Sequence, residues 1–353
     1  MEYRTLGRTG MKVSHLCLGT MMFGAWGNPD HDDSIRIIGA ALEAGVNFVD
    51  TADVYSAGES EEIVGKALKG RRDEIVLATK FHGRMGDDRN AGGNSRRWVT
   101  KAVEGSLRRL GTDWIDLYQV HRPDPSCDLD ETLGALSDLV HAGKVRAIGS
   151  STFPAEQIVE AQWVAERRGR ERFACEQPPY SIFVRQTEEA VLPTCARYGM
   201  GVIAWAPLNG GWLTGKYRLG EAPPEGSRAT RDRLPDRYDP ERPANRAKYD
   251  AIEELLKVAS DVGCSLTHLA LAWVAHHPAV TSAIIGPRTM DQCTDLLAGQ
   301  DVGLDEAALD RIDEIVPPGT TVNPADSGYT APALRHAALR RRPAGHAEPS
   351  SEW

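Results

Sequence analysis

None of the six cysteines (Cys17, Cys127, Cys175, Cys195, Cys264 and Cys293) stands in a C-x-x-C pair, and several lie inside apolar segments. That usage points to structural thiols in a reducing compartment. The opening residues MEYRTLGRTGMKVSHL contain no signal-type apolar core, and no apolar run approaches the ~18 residues that a membrane span needs. A cytoplasmic location without a membrane partner is the expectation. Basic excess is missing too: the formal net charge is -9 over 353 residues, which argues against a nucleic-acid or anionic-membrane partner. A local cluster of Arg or Lys can still hold phosphates on an acidic protein. No G-x-G-x-x-G follows any apolar run, which weakens a doubly wound dinucleotide-binding reading. No H-x-H or comparable ligand pair follows the first run, so no metal site is expected.

What the chain does have is a recurring unit. An amphipathic stretch ends in Gly, and a short apolar run follows at once. Ile37, Ile38, Ala41 and Leu42 lead to Gly45 and VNFVD. Val99, Val103, Leu107 and Leu110 lead to Gly111 and WIDLYQV. Leu133, Leu136 and Val140 lead to Gly143 and KVRAIGS, and a fourth stretch ends at Gly199 before GVIAWA. Each Gly suits a left-handed helix cap, and each run is apolar on both faces, as parallel strands require. Eight strands are expected, near Leu16–Leu18, Val46–Asp50, Ile75–Thr79, Ile115–Val120, Val145–Ser150, Phe173–Glu176, Gly201–Ala204 and Ser282–Ile285. Eight strands alternating with helices predict an α/β fold, a closed (β/α)8 TIM barrel, and the length suits one. YRTLGRTGMKVS reads as an N-terminal β-hairpin that could plug the barrel bottom. Residues 82–96 and 209–245 read as long loops on the C-terminal face. Residues 1–341 are expected to form one barrel domain, with 342–353 a disordered tail.

Polar residues cluster where the apolar strands end. Asp50 closes VNFVD, and Tyr55 follows in TADVYSAGES. Lys80 closes IVLATK, and His121 closes DLYQVH. Singly, each has an ordinary structural explanation, and His82, His141, His276 and His277 are read that way. On neighbouring strand exits, the four can converge on one point at the face where barrel chemistry sits.

At this point the chain resembles the aldo-keto reductase superfamily, and in particular its long-chain branch, which includes the β-subunits of voltage-gated potassium channels. LGTMMFG, FVDTADVYSAGESE, DLYQVHRPD, GKVRAIGSSTF, WAPLNGGWLTGKY and IIGPRTMDQ match in order, over residues 3 to about 342. The resemblance implies NADPH-dependent reduction of an aldehyde or ketone by hydride transfer from nicotinamide C4. The family's catalytic tetrad falls on Asp50, Tyr55, Lys80 and His121. Tyr55 is then the general acid, Lys80 favours its phenolate, Asp50 pairs with Lys80, and His121 orients the carbonyl.

Cofactor contacts also follow from the resemblance. Ser151, Thr152 and Gln177 fall where the nicotinamide carboxamide is held, and Trp205 where an aromatic stacks on its ring. Thr20 and Met21 join Asp50 beside the cofactor. Pro207, Leu208 and Gly210 fall at the pyrophosphate, with Lys216 and Arg228 as phosphate contacts. Gly286 and Arg288 fall at the 2′-phosphate, which favours NADPH over NADH, and Gln292 and Asp295 flank the adenosine. Two departures stand out: Thr152 replaces the common Asn, and Leu296 replaces another. Phe23 and Trp26, with Met22 and the 82–96 loop, are expected to wall the substrate pocket around Tyr55 and His121, for a small-molecule carbonyl substrate. Two rival readings are a Schiff-base enzyme using Lys80 and an NADPH-binding redox sensor or regulatory subunit with little turnover. Oligomeric state has no signature in the sequence.

Overall fold

A parallel sheet of short apolar strands leaves two unpaired edges unless it closes on itself. In the computed structural model, which describes residues 1–231 and 235–341, it closes. An antiparallel hairpin, β1 (Tyr3–Thr5) and β2 (Lys12–Ser14), comes first. The barrel strands are β3 (Leu16–Gly19), β4 (Phe48–Asp50), β5 (Val76–Phe81), β6 (Ile115–Val120), β7 (Val145–Ser151), β8 (Cys175–Gln177), β9 (Gly201–Ala204) and β10 (Ser282–Ile285). All eight are parallel and pair in chain order, and β10 meets both β9 and β3.

Helices cover the outside: α1 (His31–Glu43), α2 (Glu59–Ala67), α3 (Arg96–Leu110), α4 (Leu129–His141), α5 (Ala155–Arg168) and α6 (Val191–Tyr198) each follow one strand. After β9 come α7 (Arg228–Arg231), α8 (Pro235–Tyr238), α9 (Pro243–Val262) and α10 (Leu266–His276). After β10 come α11 (Met290–Ala298), α12 (Glu306–Ile315) and α13 (Pro332–Arg335). The fold is a (β/α)8 barrel with an N-terminal hairpin. Gly111 and Gly199 close α3 and α6 in the left-handed conformation (φ 63° and 64°), as their sequence positions implied.

Strand ends differ from expectation by a few residues. β4 starts at Phe48 rather than Val46, because the Asn47 side chain accepts from Ser14 N (2.7 Å) and donates to the Lys12 carbonyl (2.9 Å), tying the hairpin to the barrel. β8 starts at Cys175 rather than Phe173, and β5 runs on to Phe81. Region 209–245 is not one open loop: it carries a 3-10 turn (Asn209–Thr214), α7, α8 and the start of α9. Pro243 at the first turn suits a helix start, and Asp326 pairs with Arg237 of α8 (2.6 Å) and with the buried Lys248 of α9 (2.5 Å). The tail expected at 342–353 lies outside the described residues.

Two hydrophobic cores result. Outward-facing strand residues meet the helices in the larger one. Inside the barrel, Cys17, Phe48, Ala78, Leu117, Cys175 and Ile203 pack against Leu6 and Val13 of the hairpin segment, so the hairpin plugs the bottom. No pair of cysteines is joined. Among the described residues no single helix is long and apolar enough to cross a membrane, and no cluster of metal-ligating side chains occurs.

Candidate active site

Side chains two apart on a strand share a face. Two residues beyond Phe48, Ala78, Leu117 and Cys175, the inward faces therefore carry Asp50, Lys80, Gln119 and Gln177. Lys80 is opposite Gln119 in the β5–β6 register, and Gln177 opposite Ser151 in β7–β8. A polar layer thus tops the apolar one, at the C-terminal ends of the strands.

Lys80 is fully buried. Its Nζ donates to Asp50 Oδ2 (2.5 Å), the Thr51 carbonyl (2.9 Å) and the Tyr55 hydroxyl (3.3 Å). Burial by itself lowers the Lys80 pKa, but Asp50 and then Tyr55 outweigh it and leave it above the ordinary value. The ammonium form is therefore kept. Asp50 is held from its other side: Oδ1 accepts from Gln119 Nε2 (3.1 Å) and Gln177 Nε2 (3.0 Å). The Tyr55 ring meets His121 edge-on with centroids 5.8 Å apart, and Trp26 lies 6.1 Å from it. Burial first, then the charges on Lys80 and Arg122, push His121 well below the usual histidine range. Its imidazole is neutral near pH 7 and can hydrogen-bond a carbonyl without repelling Lys80.

The backbone around this layer is strained. Ser56, Ala57, His82, Thr152, Ala206 and Asn209 all have positive φ, and all lie in the segments that follow barrel strands on the C-terminal face. Such clustering is typical of functional rims. Thr152 (φ 60°) is the least comfortable, because a β-branched side chain resists this region where Asn tolerates it. Its Oγ1 accepts from Arg122 Nη1 (3.0 Å). Ser151 Oγ donates to the Gln177 carbonyl (2.9 Å). Trp205 stands past β9, with Gly328 so close to its ring that an added Cβ would lie 2.6 Å from it.

A second polar region lies on the β9–β10 side. Lys216 is partly buried, and its pKa is lowered by burial and then by Arg228, Arg288 and Arg231. Lys216, Arg228 and Arg288 make no ion pair with a carboxylate among the described residues. Arg288 is fixed by donating its Nη1 to the Gly226 carbonyl (3.1 Å) and its backbone N–H to Gln292 Oε1 (2.8 Å). Lys216, withdrawn from water, together with Arg228 and Arg288, which have no carboxylate partner, matches the phosphates of a dinucleotide. These residues therefore fit the phosphate end of a nicotinamide dinucleotide, whose reactive end Ser151, Thr152, Gln177 and Trp205 would border.

The remaining sequence candidates divide. Thr20 is buried, sharing a hydrogen bond with Ser60 (2.9 Å) and one to the Asp50 carbonyl (3.2 Å), and Met21 is half-buried beside it. Pro207 is buried, Leu208 half-buried, and Gly210 (φ 68°) accepts from the Tyr238 hydroxyl (2.9 Å). Gly286 is exposed at the β10 exit. Asp295 faces His268 Nε2 (3.1 Å), one turn beyond Gln292. Phe23 is a correction: a turn closed by Phe23 N to the Thr20 carbonyl (3.0 Å) sends its ring, 0% exposed, into the helix-side core, so it walls no pocket. Trp26, 47% exposed, remains beside Tyr55. Met22 is buried with Sδ 3.6 Å from Arg228 Nη2. Three further residues join the site. Gln119, two before His121, was detectable by its inward parity. His82, read as structural, lies near enough to act on His121, with Nδ1 bonded to Asn94 Oδ1 (2.9 Å). Arg231 joins the cationic group from α7.

Comparison with known proteins agrees with this geometry. The model of the aldo/keto reductase family matches residues 15–317. The chain belongs to the aldo/keto reductase family. Among curated proteins it is 40% identical over 330 residues to an uncharacterized oxidoreductase, YrpG, of Bacillus subtilis, covering 90% of this chain and 96% of that one. It is 39% identical over 299 residues to the aldo-keto reductase YhdN of the same organism, covering 83% and 86%. A probable voltage-gated potassium channel subunit beta of Oryza sativa subsp. japonica is 36% identical over 334 residues, covering 90% and 97%. As an aldo/keto reductase, the chain is an oxidoreductase with a TIM-barrel fold.

Proposed function

We propose that this protein reduces aldehydes or ketones to alcohols with NADPH, using Tyr55 as the general acid. The carrying observation is the Lys80 ammonium, fully buried and held between Asp50 Oδ2 and the Tyr55 hydroxyl. When bound, the nicotinamide supplies the hydride. The protein supplies the rest. Tyr55 donates its phenolic proton to the developing alkoxide. Lys80 stabilises the phenolate left behind, and Asp50 keeps Lys80 protonated. Neutral His121 donates a hydrogen bond that orients the carbonyl and stabilises the alkoxide. Gln119 and Gln177 fix Asp50, so Lys80 has one position. Lys216, Arg228 and Arg288 would hold the cofactor's phosphates. Arg288, at the start of α11 beside Gln292, is the candidate reader of the 2′-phosphate.

A Schiff base on Lys80 needs a neutral amine, and the Asp50 pairing opposes it. A regulatory role draws support from the similarity to the probable potassium channel subunit beta of Oryza, but a four-membered catalytic constellation favours turnover. Tryptophan fluorescence during titration with NADPH and then NADH, followed by 4-nitrobenzaldehyde at 340 nm, tests the reading. Tighter NADPH binding and loss of absorbance are expected. Tight binding without turnover would favour the regulatory role, and no binding of either nucleotide would refute both.

A further inference from the structure

Arg122 follows His121 at the exit of β6, on the rim of the polar layer. Its Nη1 donates to the His121 carbonyl (2.7 Å) and to Thr152 Oγ1 (3.0 Å). Nε and Nη2 donate to no protein acceptor, and no carboxylate comes within ion-pair distance among the described residues. Four other arginines withdrawn from solvent are treated differently. Arg72, Arg109, Arg185 and Arg237 each pair with a carboxylate, at 2.6 to 2.9 Å. A half-buried guanidinium without a counter-charge is unfavourable and persists where an external anion completes it.

No carboxylate at ion-pair distance supplies that anion; Tyr55 and Glu176 act on Arg122 only from further off. Asp50 is engaged by Lys80 and two glutamines. Glu176 is fully buried, accepts from Phe153 N (3.1 Å) and Ser150, is pushed up to about 7 by burial, and makes no ion pair with Arg122. His82 and Lys80 add no negative charge. The cationic group around Lys216 and Arg288 serves the phosphates, whereas Arg122 neighbours Tyr55 and holds its guanidinium 5.8 Å from the Trp205 ring centre. Arg122 thus stands on the rim between Tyr55 and Trp205 with two donors that no protein group takes up.

We infer that Arg122 is a specificity-determining residue for this reaction and that the preferred substrates are carbonyl compounds, aromatic ones included, that carry a carboxylate. Two parallel N–H donors match a carboxylate fork. This assignment rests on the reductase reading above.

The test compares 4-formylbenzoate with its uncharged methyl ester, which keeps the same aldehyde and a similar ring. With saturating NADPH, kcat/KM for the acid is expected to exceed that for the ester about ten- to a hundredfold, mainly through KM, the scale of a charge-assisted hydrogen bond. Arg122→Met should collapse that ratio towards one, with the affinity for NADPH held within about threefold. Arg122→Lys should restore part of the ratio, which a merely structural role would not do. Equal kcat/KM for acid and ester in the wild type would overturn the proposal. So would equal losses on both substrates in Arg122→Met, or weakened NADPH binding with the ratio intact. If neither aldehyde is reduced, the reductase reading fails separately. Binding of 4-(hydroxymethyl)benzoate against benzyl alcohol to the NADPH-loaded protein, read by tryptophan fluorescence, then decides the anion site. Tighter binding of the acid that Arg122→Met abolishes supports it, and equal binding overturns it.

Discussion

The barrel interior has two floors built by the same strands. On the lower one Phe48, Ala78, Leu117 and Cys175 pack against Leu6 and Val13, with no polar side chain among them. On the upper one, two residues further along, Asp50, Lys80, Gln119 and Gln177 form a buried hydrogen-bonded network. The lower floor stabilises by removing apolar surface from water, at roughly 1.5–3 kcal/mol for each large side chain. The upper floor does the opposite, withdrawing charges whose desolvation is only offset by close pairing. One floor contributes stability, and the other holds an ammonium against a phenol.

Substitutions should separate the floors. Lys80→Met should show the largest effect, a loss of turnover of about 10²–10⁴-fold or more, measured at 340 nm with a saturating aldehyde; near-normal rates would remove Lys80 from the proton-transfer step. Leu117→Ala on the lower floor should lower stability by about 2–5 kcal/mol in urea unfolding, while the folded fraction keeps its specific activity. Arg288→Ala should weaken NADPH about ten- to a hundredfold and NADH much less; equal losses would show that Arg288 does not read the 2′-phosphate.

The smallest effect concerns Asp53, fully buried two residues before Tyr55. Burial first, and Glu61 second, raise its pKa to about 8. Unfolded, it titrates near ~3.9, so between those values the native state holds a proton that the unfolded state releases. Stability therefore falls as pH rises from about 4 to about 8. Asp53→Asn should remove that slope, raising the melting temperature at pH 8 by a few degrees, with the gain vanishing near pH 4. A pH-independent difference would place the cause elsewhere.

Much of this was legible in the sequence, for identifiable reasons. A strand buried on both faces leaves a mostly apolar run, so all eight barrel strands were visible. Polar residues closing such runs marked Asp50, Lys80 and His121. Gln119 was equally marked by parity but lay inside a run, where a single polar residue is easily passed over. Starts were less visible, because Asn47 leaves β4 for the hairpin through side-chain bonds 33 and 35 residues away. Phe23 was misjudged because a local turn, not periodicity, decides where its ring goes. Arg228 could not be positioned, since its neighbourhood with Lys216 and Arg288 is a tertiary fact. The lack of a counter-charge at Arg122 is another.

The central claim is that Tyr55 delivers the proton under the influence of Lys80. Its most direct test is the rate of 4-nitrobenzaldehyde reduction by Tyr55→Phe, with NADPH affinity measured on the same sample by tryptophan fluorescence. The account predicts a rate lower by about 10²–10⁴-fold, with NADPH bound nearly as tightly as by the wild type. Turnover close to the wild-type rate, at equal NADPH occupancy, would contradict it.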